Sequence, residues 1–523
     1  MELLQHRPRK KEWLWVVLAV LPFLSIYLIH VHCLGPASTG FIQADQAYYM
    51  ANGRAIFTRG NGFTHPNPFD DSLSSPNIYI HWPIWVSGVL MRLLGIDPGV
   101  FFVALGIIAS FFFSLFTWEL TSLFTKDKKL RPACFLLVIW GGGLFTLAAA
   151  IGHLWQSASF DEIPRFNPMA FDPFGGFWFL NWGRNLIYSL ETVYHVLLLG
   201  TWLAVLKREW KLALLFAVAT IFAHPFTAVG LGCSLVLWIA LTRLPPLREK
   251  IPAFFLLALL FALAAFGAYY GIFLPSFPEH ALIMKQWSVP WNMTLTQNVL
   301  ALAPALALAA WELFRDRGRK WLTREELFFL CCFISAFLLS NHQYFIHARQ
   351  PLHFTRGYAW LPLVMIGLPV LEKIFSRLRN RGGIALMGAF LFLASLDNLG
   401  FLYENADSCA EHVRLAPEVR AIFREADKRG LRGSYYSPLP GAGILAPTYS
   451  NFIPYCSHSH LTPDAMSRIF AVKKSFELRK PGKWLESVEY LLLARGDGTG
   501  WLLSPAWEPV LTEGNYTLWH RKR

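Results

Sequence analysis

An aspartate, Asp45, lies within the stretch 40–56 and opens a helical pattern in which Ala47, Tyr48, Ala51 and Ala55 fall roughly on one face. At a helix start a carboxylate caps free backbone N–H groups or pairs with a cation, here Arg54. The same group, ionised at an accessible helix end, is also a proton acceptor for general-base chemistry. Near it in sequence stand Tyr48, Tyr49, His65 in the run Thr64-His65-Pro66-Asn67-Pro68-Phe69-Asp70-Asp71, and His81 ahead of Trp82-Pro83. A second concentration of chemistry, 341–356, holds Arg349 and Arg356 with His342, His347 and His353. Guanidinium forks grip phosphate oxygens in pairs, and the same cations anchor loops to lipid headgroups; both readings stand. Glu191 and His195, spaced i, i+4 inside an apolar run, either act as a functional intramembrane pair or satisfy one another. Asp161, Glu162 and Asp172 read as loop structure, with contact to an acceptor as the alternative. His458 and His460 have the spacing of a metal-binding pair, yet no third ligand accompanies them and a structural role is the stronger reading. No CxxC or Cys/His cluster has zinc spacing. A divalent metal is compatible with the sequence without being implied by it, and no metal ligand is assigned.

The elements that carry these residues are mostly membrane helices. The chain has 523 residues, 54% hydrophobic and 15% charged, with mean hydropathy +0.37, where soluble domains carry roughly 25% charged residues. A net charge of +13 would suit nucleic acid if the basic residues formed one face. They lie instead in short clusters between apolar runs, so the expected partner is the lipid bilayer and no nucleic acid. Candidate spans fall at 13–30, 97–124, 133–151, 186–206, 212–224, 226–242, 251–274, 295–313, 327–340, 358–374 and 384–402, about eleven passes. The first reads as an uncleaved signal anchor, and Asp97-Pro98 is a helix start. The stretch 212–242 reads as a hairpin with His224-Pro225 at its tip, which puts Lys207, Arg208 and Lys211 on the side of Arg243, Arg248 and Lys250. Basic clusters then stay inside at every turn, with the N-terminus in and the C-terminus out. Outside lie the long loops 31–81, 152–185, 275–294 and 341–357. The short apolar segment 82–94, carrying Arg92, reads as a helix lying in the membrane interface.

After residue 402 the composition turns soluble. The expected fold is therefore mostly α: a polytopic transmembrane bundle over 1–402, with the large first outer loop 31–81, and an extracytoplasmic α/β domain over 403–523. In that domain a helix over 417–429 buries Val419, Ile422, Phe423 and Ala426 and stops at Gly430. A second helix opens at Thr462-Pro463-Asp464, with Pro at its first position, and buries Met466, Ile469 and Phe470. Strands are expected at 433–436, 489–494, 509–512 and 515–519, the last two joined by a tight Glu-Gly turn. Cys409 and Cys456 share the outer compartment, where a disulfide between them is possible; Cys33 is there too.

The basic signal anchor, Asp45 early in the first outer loop, the Pro-rich run, His81-Trp82-Pro83, the His224-Pro225 tip and a segment like Ile453-Pro454-Tyr455-Cys456-Ser457-His458-Ser459-His460-Leu461-Thr462-Pro463 give the chain a family likeness. Over most of its length it resembles the GT-C superfamily of membrane glycosyltransferases, of the dolichyl-phosphate-mannose mannosyltransferase-like kind. The resemblance implies an inverting transfer of sugar from a polyprenyl-phosphate donor to an acceptor on the extracytoplasmic face, here of a bacterial inner membrane. It implies Asp45 as catalytic base and Arg349, Arg356 and His347 at the donor phosphate. Tyr48, Tyr49, His65, His81, Glu191, His195 and His224 would line the substrate cavity. A phosphate leaves without protonation, so one carboxylate suffices where glycosidases need two. Several subfamilies have Asp-Glu where this chain has Asp45-Gln46, which argues against carrying over a second-carboxylate or metal role. Two other classes stay open: a transporter or flippase, which expects paired broken helices and mid-membrane ionisable groups, and a non-catalytic assembly partner of the same architecture.

Overall fold

Asp97 and Pro98 start the 27-residue helix Pro98–Phe124 as their types require, the Asp97 carboxylate accepting the Gly99 N–H at 2.9 Å. The computed structural model describes residues 8–40, 45–58, 62–71, 75–156, 166–173, 180–245, 247–286, 291–315, 322–378, 380–407 and 414–522. Each of the eleven apolar runs is helical there. Five helices are long and apolar enough to cross a membrane: Pro98–Phe124, Ser189–Leu206, Pro225–Thr242, Ala253–Ser276 and Leu295–Arg315. Three bent pairs raise the number to eight if each pair is one span. The three remaining runs form Trp210–Ile221, Arg324–Ser340 and Trp360–Arg377. The first of these, at 12 residues, rises only about 18 Å, short of a hydrocarbon core of about 30 Å.

The chain folds into two compact units. One comprises Met1–Ile26, Leu105–Phe266 and Val289–Ser408; the other comprises Tyr27–Ala104, Gly267–Ser288 and Cys409–Arg523.

In the first unit the stretch 212–242 is two helices, and its ends meet: Arg208 forks onto Glu249 at 2.9 and 3.0 Å. Arg324 donates to the carbonyls of Val205 and Leu206 at 2.8 and 3.0 Å. This is hairpin geometry, with His224 capping the second limb through Nδ1, which accepts from the Thr227 N–H. A second break separates Arg131–Trp140 from the helix starting at Phe145, bent by 65°. Backbone groups freed in an apolar setting need partners, and two adjacent side chains supply them. The Asp397 carboxylate accepts from Thr146 N–H at 2.8 Å and Phe145 N–H at 3.3 Å. Asn398 donates to the carbonyls of Trp140 at 2.8 Å and Ile139 at 3.4 Å. Gly142 is needed here because a Cβ would fall 2.5 Å from Asn181 Nδ2 and 2.8 Å from Asp397 Cβ. Asp172 and Arg184 form a fully buried ion pair beside this knot, and Arg184 reaches the Asp397 carbonyl. Asp172 is thus structural.

In the second unit the helix Asp45–Thr58 packs on Trp82–Leu94, the segment expected to lie in the interface. Their approach is close: a Cβ on Gly88 would fall 2.3 Å from the Gly53 carbonyl oxygen. Five strands form one sheet in the order Asn451–Pro454, Arg432–Tyr436, Tyr490–Ala494, Tyr516–Arg521, Trp507–Glu513. The first two pairings are parallel and the last two antiparallel. Pro417–Lys428 buries Val419, Ile422, Phe423 and Ala426, as its spacing predicts. The helix Ala465–Leu478 departs from expectation. Met466, Ile469 and Phe470 are 72%, 38% and 68% exposed, whereas Ala465, Val472 and Ser475 are buried. Trp484 supplies the core bulk there and donates its indole N–H to Ser475 Oγ at 2.8 Å, so the helix offers a small-residue face. Nor is Thr462 its N-cap. Asp464 takes that place in left-handed conformation, φ 50°, with Pro463 outside the helix, and the Thr462 hydroxyl instead accepts from the His458 N–H at 3.3 Å. Cys409 lies outside the described residues, and with it the expected bond to Cys456.

Candidate active site

Asp45 is the first residue of its helix, and its side chain is 62% exposed. Arg54, the expected partner on the same helix, is turned elsewhere: it pairs with Asp427 and donates to the Ser450 carbonyl at 2.7 Å. His458 lies instead against Asp45, its Nε2 3.2 Å from Oδ1. The His458 Nδ1 accepts from the backbone N–H groups of His460 and Leu461, each at 3.3 Å. That leaves the ring proton on Nε2, which donates to the carboxylate. The ring packs on Phe69 at 5.2 Å between centroids. The same turn is tied to the loop after the Asp45 helix by Asn67, whose amide donates to the Leu461 carbonyl at 2.6 Å. Arg468 grips Asp71 with both nitrogens at 2.9 Å. Burial lowers the pKa of the neighbouring His460, with His458 adding to the effect.

The aromatic residues named from sequence form a linked row in this unit. Tyr48 meets Tyr49 and His65 edge-on, His65 stacks on Tyr79, and Tyr49 stacks on His81. The Tyr79 hydroxyl is 3.1 Å from His280 Nδ1. The Tyr269 hydroxyl holds the adjacent strand by donating to the Ile78 carbonyl and accepting the Ile80 N–H. Burial pushes the His65 imidazole down to about 4, and burial with the nearby His65 pushes His81 down to about 3. Burial lifts the Tyr48 and Tyr79 phenols. The row is therefore neutral at pH 7, a set of flat faces with hydrogen-bonding edges. His65 keeps its Nδ1 on the Pro66 carbonyl at 3.2 Å, while its buried Nε2 meets no partner among the described residues.

The second unit's partner residues in the sequence reading, Glu191, His195, His224, His347, Arg349 and Arg356, all belong to the first unit. Glu191 and His195 do not satisfy one another through their side chains. Glu191 pairs with the buried Arg356, and His195 places Nε2 2.9 Å from the Arg356 carbonyl and Nδ1 2.7 Å from the Glu191 carbonyl. Arg356 is further engaged by His353, through the carbonyl at 3.0 Å and Nδ1 at 3.2 Å. His224 stacks on Tyr194 and reaches the Thr227 hydroxyl at 2.9 Å, which in turn meets Tyr358. Arg349 and His347 are exposed, and the Arg349 N–H donates to His342 Nε2 at 2.9 Å. Asp161 and Glu162 lie outside the described residues. Among the described residues no three His, Cys, Asp or Glu side chains gather as metal ligands.

His458 and its turn are what the sequence reading undervalued. An His-x-His pair draws attention as a metal motif, whereas the signal that mattered was Thr462, four residues on, able to close a turn around the histidine.

No protein-family model matches the chain, and no curated protein matches it in sequence. Solved structures do. The arabinofuranosyltransferase AftD from Mycobacteria aligns over 97% of this chain at 13% identity with a TM-score of 0.54. The chain spans only 40% of AftD's length. ArnT from Cupriavidus metallidurans, bound to undecaprenyl phosphate, aligns over 97% of both chains at 11% identity with a TM-score of 0.49. The chain shares its fold with AftD, and its long apolar helices make it an integral membrane protein.

Proposed function

We propose that the protein is a membrane glycosyltransferase that moves a sugar from a polyprenyl-phosphate donor to an acceptor hydroxyl on the extracytoplasmic face of a bacterial inner membrane. The observation that carries this reading is Asp45: an accessible carboxylate at a helix start, held by an imidazole N–H, in a fold shared with a known arabinosyl-transferring enzyme. The carboxylate takes the acceptor proton as the hydroxyl oxygen attacks the anomeric carbon. The carbon–oxygen bond to phosphate breaks, its electron pair leaves on the lipid phosphate, and the anomeric centre inverts. Arg349, exposed on its loop, offers the phosphate a cation, with His347 beside it. Arg356, engaged by Glu191 and His353, holds that loop. The neutral Tyr48, Tyr49, His65 and His81 row suits a sugar face, because aromatic planes cover apolar ring faces while their edges meet hydroxyls.

The test is release of lipid phosphate by purified protein from a panel of polyprenyl-phosphate sugars, with Asp45→Asn alongside. Loss of the base is expected to cut turnover about a hundred- to ten-thousandfold with donor binding unchanged. A folded Asp45→Asn protein turning over at the normal rate refutes Asp45 as the base.

A further inference from the structure

We propose that His458 is the positioning residue for Asp45, a role that rests on the function proposed above. The two residues are 413 apart in sequence, so no local pattern brings them together. The imidazole is fixed from several directions. Nδ1 accepts two backbone N–H groups, the ring rests on Phe69, and the turn closes through His458 N–H to the Thr462 hydroxyl and Thr462 N–H to the His458 carbonyl at 3.0 Å. Asn67 and Arg468 then lock this turn to the loop that follows the Asp45 helix.

Two consequences follow for Asp45. An aspartate with a side chain 62% exposed samples several rotamers unless something holds it, and the Nε2–H fixes one carboxylate oxygen in place. The same contact sets the direction in which the carboxylate faces an arriving hydroxyl. In the transfer step the acceptor proton goes to Asp45 and His458 keeps its own. The C-terminal residues thus complete the catalytic centre rather than only covering it.

The experiment compares His458→Asn and His458→Gln, each alone and with Asp45→Asn, by kcat, donor KM and melting temperature. Asparagine leaves its amide near the Nδ1 position, while glutamine places an N–H donor near Nε2. A misplaced reacting group costs on the order of a hundredfold in rate. His458→Asn is expected to lose that much in kcat with donor KM unchanged, and His458→Gln to regain part of it. On the Asp45→Asn background the His458 changes should add nothing, because residues acting as a unit are non-additive. Full kcat in folded His458→Asn protein, or losses that multiply with that of Asp45→Asn, overturns the role. A 15N-histidine spectrum of the unsubstituted protein and of Asp45→Asn reads the pair without touching His458. An Nε2-protonated ring whose signal moves in Asp45→Asn is expected, and an Nδ1-protonated ring overturns the proposal. Absence of transfer by the unsubstituted protein across the whole donor panel overturns the parent function instead, and this role with it.

Discussion

At the scale of single residues, Arg349 and Arg356 look alike in sequence and differ in setting. Arg349 is exposed, whereas Arg356 is buried and paired with Glu191. Removing one member of a buried ion pair strands the other, at a cost of about 3–5 kcal/mol. Arg356→Met should therefore lower the melting temperature sharply, and Arg356→Met with Glu191→Gln should recover part of the loss. Arg349→Ala should leave the melting temperature alone and weaken donor binding about tenfold or more, the worth of a charge-assisted hydrogen bond to phosphate. Thermal scans and donor titrations on the same three proteins check both expectations. Residue types alone name both arginines as phosphate ligands; burial is decided by where the chain comes back to meet Glu191, which spacing does not encode. The same holds for Asp45, whose type and helix-start position are legible while its partner His458 is not.

At the scale of elements, the break at 141–143 is what the transporter reading expects of a membrane helix. Here protein groups fill it: Asp397 caps the new helix start, Asn398 caps the old helix end, and Arg184 closes the knot. Asp397→Ala would leave two buried N–H groups without acceptors, at about 1–3 kcal/mol each. Asp397→Asn keeps one acceptor oxygen and should lose less, and apparent melting temperatures in detergent rank the two. The His65 and His81 row carries a pH dependence of definite sign. Both imidazoles have pKa values pushed below the ordinary 6.5, to about 4 and about 3. Between those values and 6.5 the unfolded chain binds protons that the folded chain refuses. Their contribution is thus full above pH 6.5 and is lost as pH falls toward 4. Melting temperature should drop from pH 7 to pH 4.5, and His65→Phe should flatten that drop; an unchanged slope removes His65 as the cause. Periodicity announces such elements well: 82–94 and 417–428 form as spaced. It misleads at 465–478, where two tryptophans from elsewhere, Trp484 and Trp507, fill the core and turn Met466 and Phe470 outward.

At the scale of the whole molecule, the eleven helical runs are legible because an apolar run in lipid has few alternatives to a helix. The division into units is not, since it depends on contacts between distant segments such as Arg54–Asp427 and Arg468–Asp71. Those contacts bear on sidedness. The second unit joins Tyr27–Ala104, Gly267–Ser288 and Cys409–Arg523, three segments whose loops the charge pattern independently assigns to one side. In the first unit the backbone N–H of Lys126 donates to Glu372 at 3.2 Å, and Arg208 pairs with Glu249, joining turns that the same pattern assigns to the other side. Basic residues resist translocation, so the charge pattern predicts that the turns holding Lys126, Lys128, Lys129, Arg208 and Lys250 stay cytoplasmic. Single cysteines at Lys285 and Tyr516 should therefore react with an impermeant thiol reagent added to intact cells. Cysteines at Lys128 and Lys250 should react only after the membrane is opened. Labelling of Lys250→Cys in intact cells would break the link between the 212–242 hairpin and the charge pattern. Protection of Tyr516→Cys would move the sheet, His458 and Asp45 away from the face on which the transfer is proposed to occur.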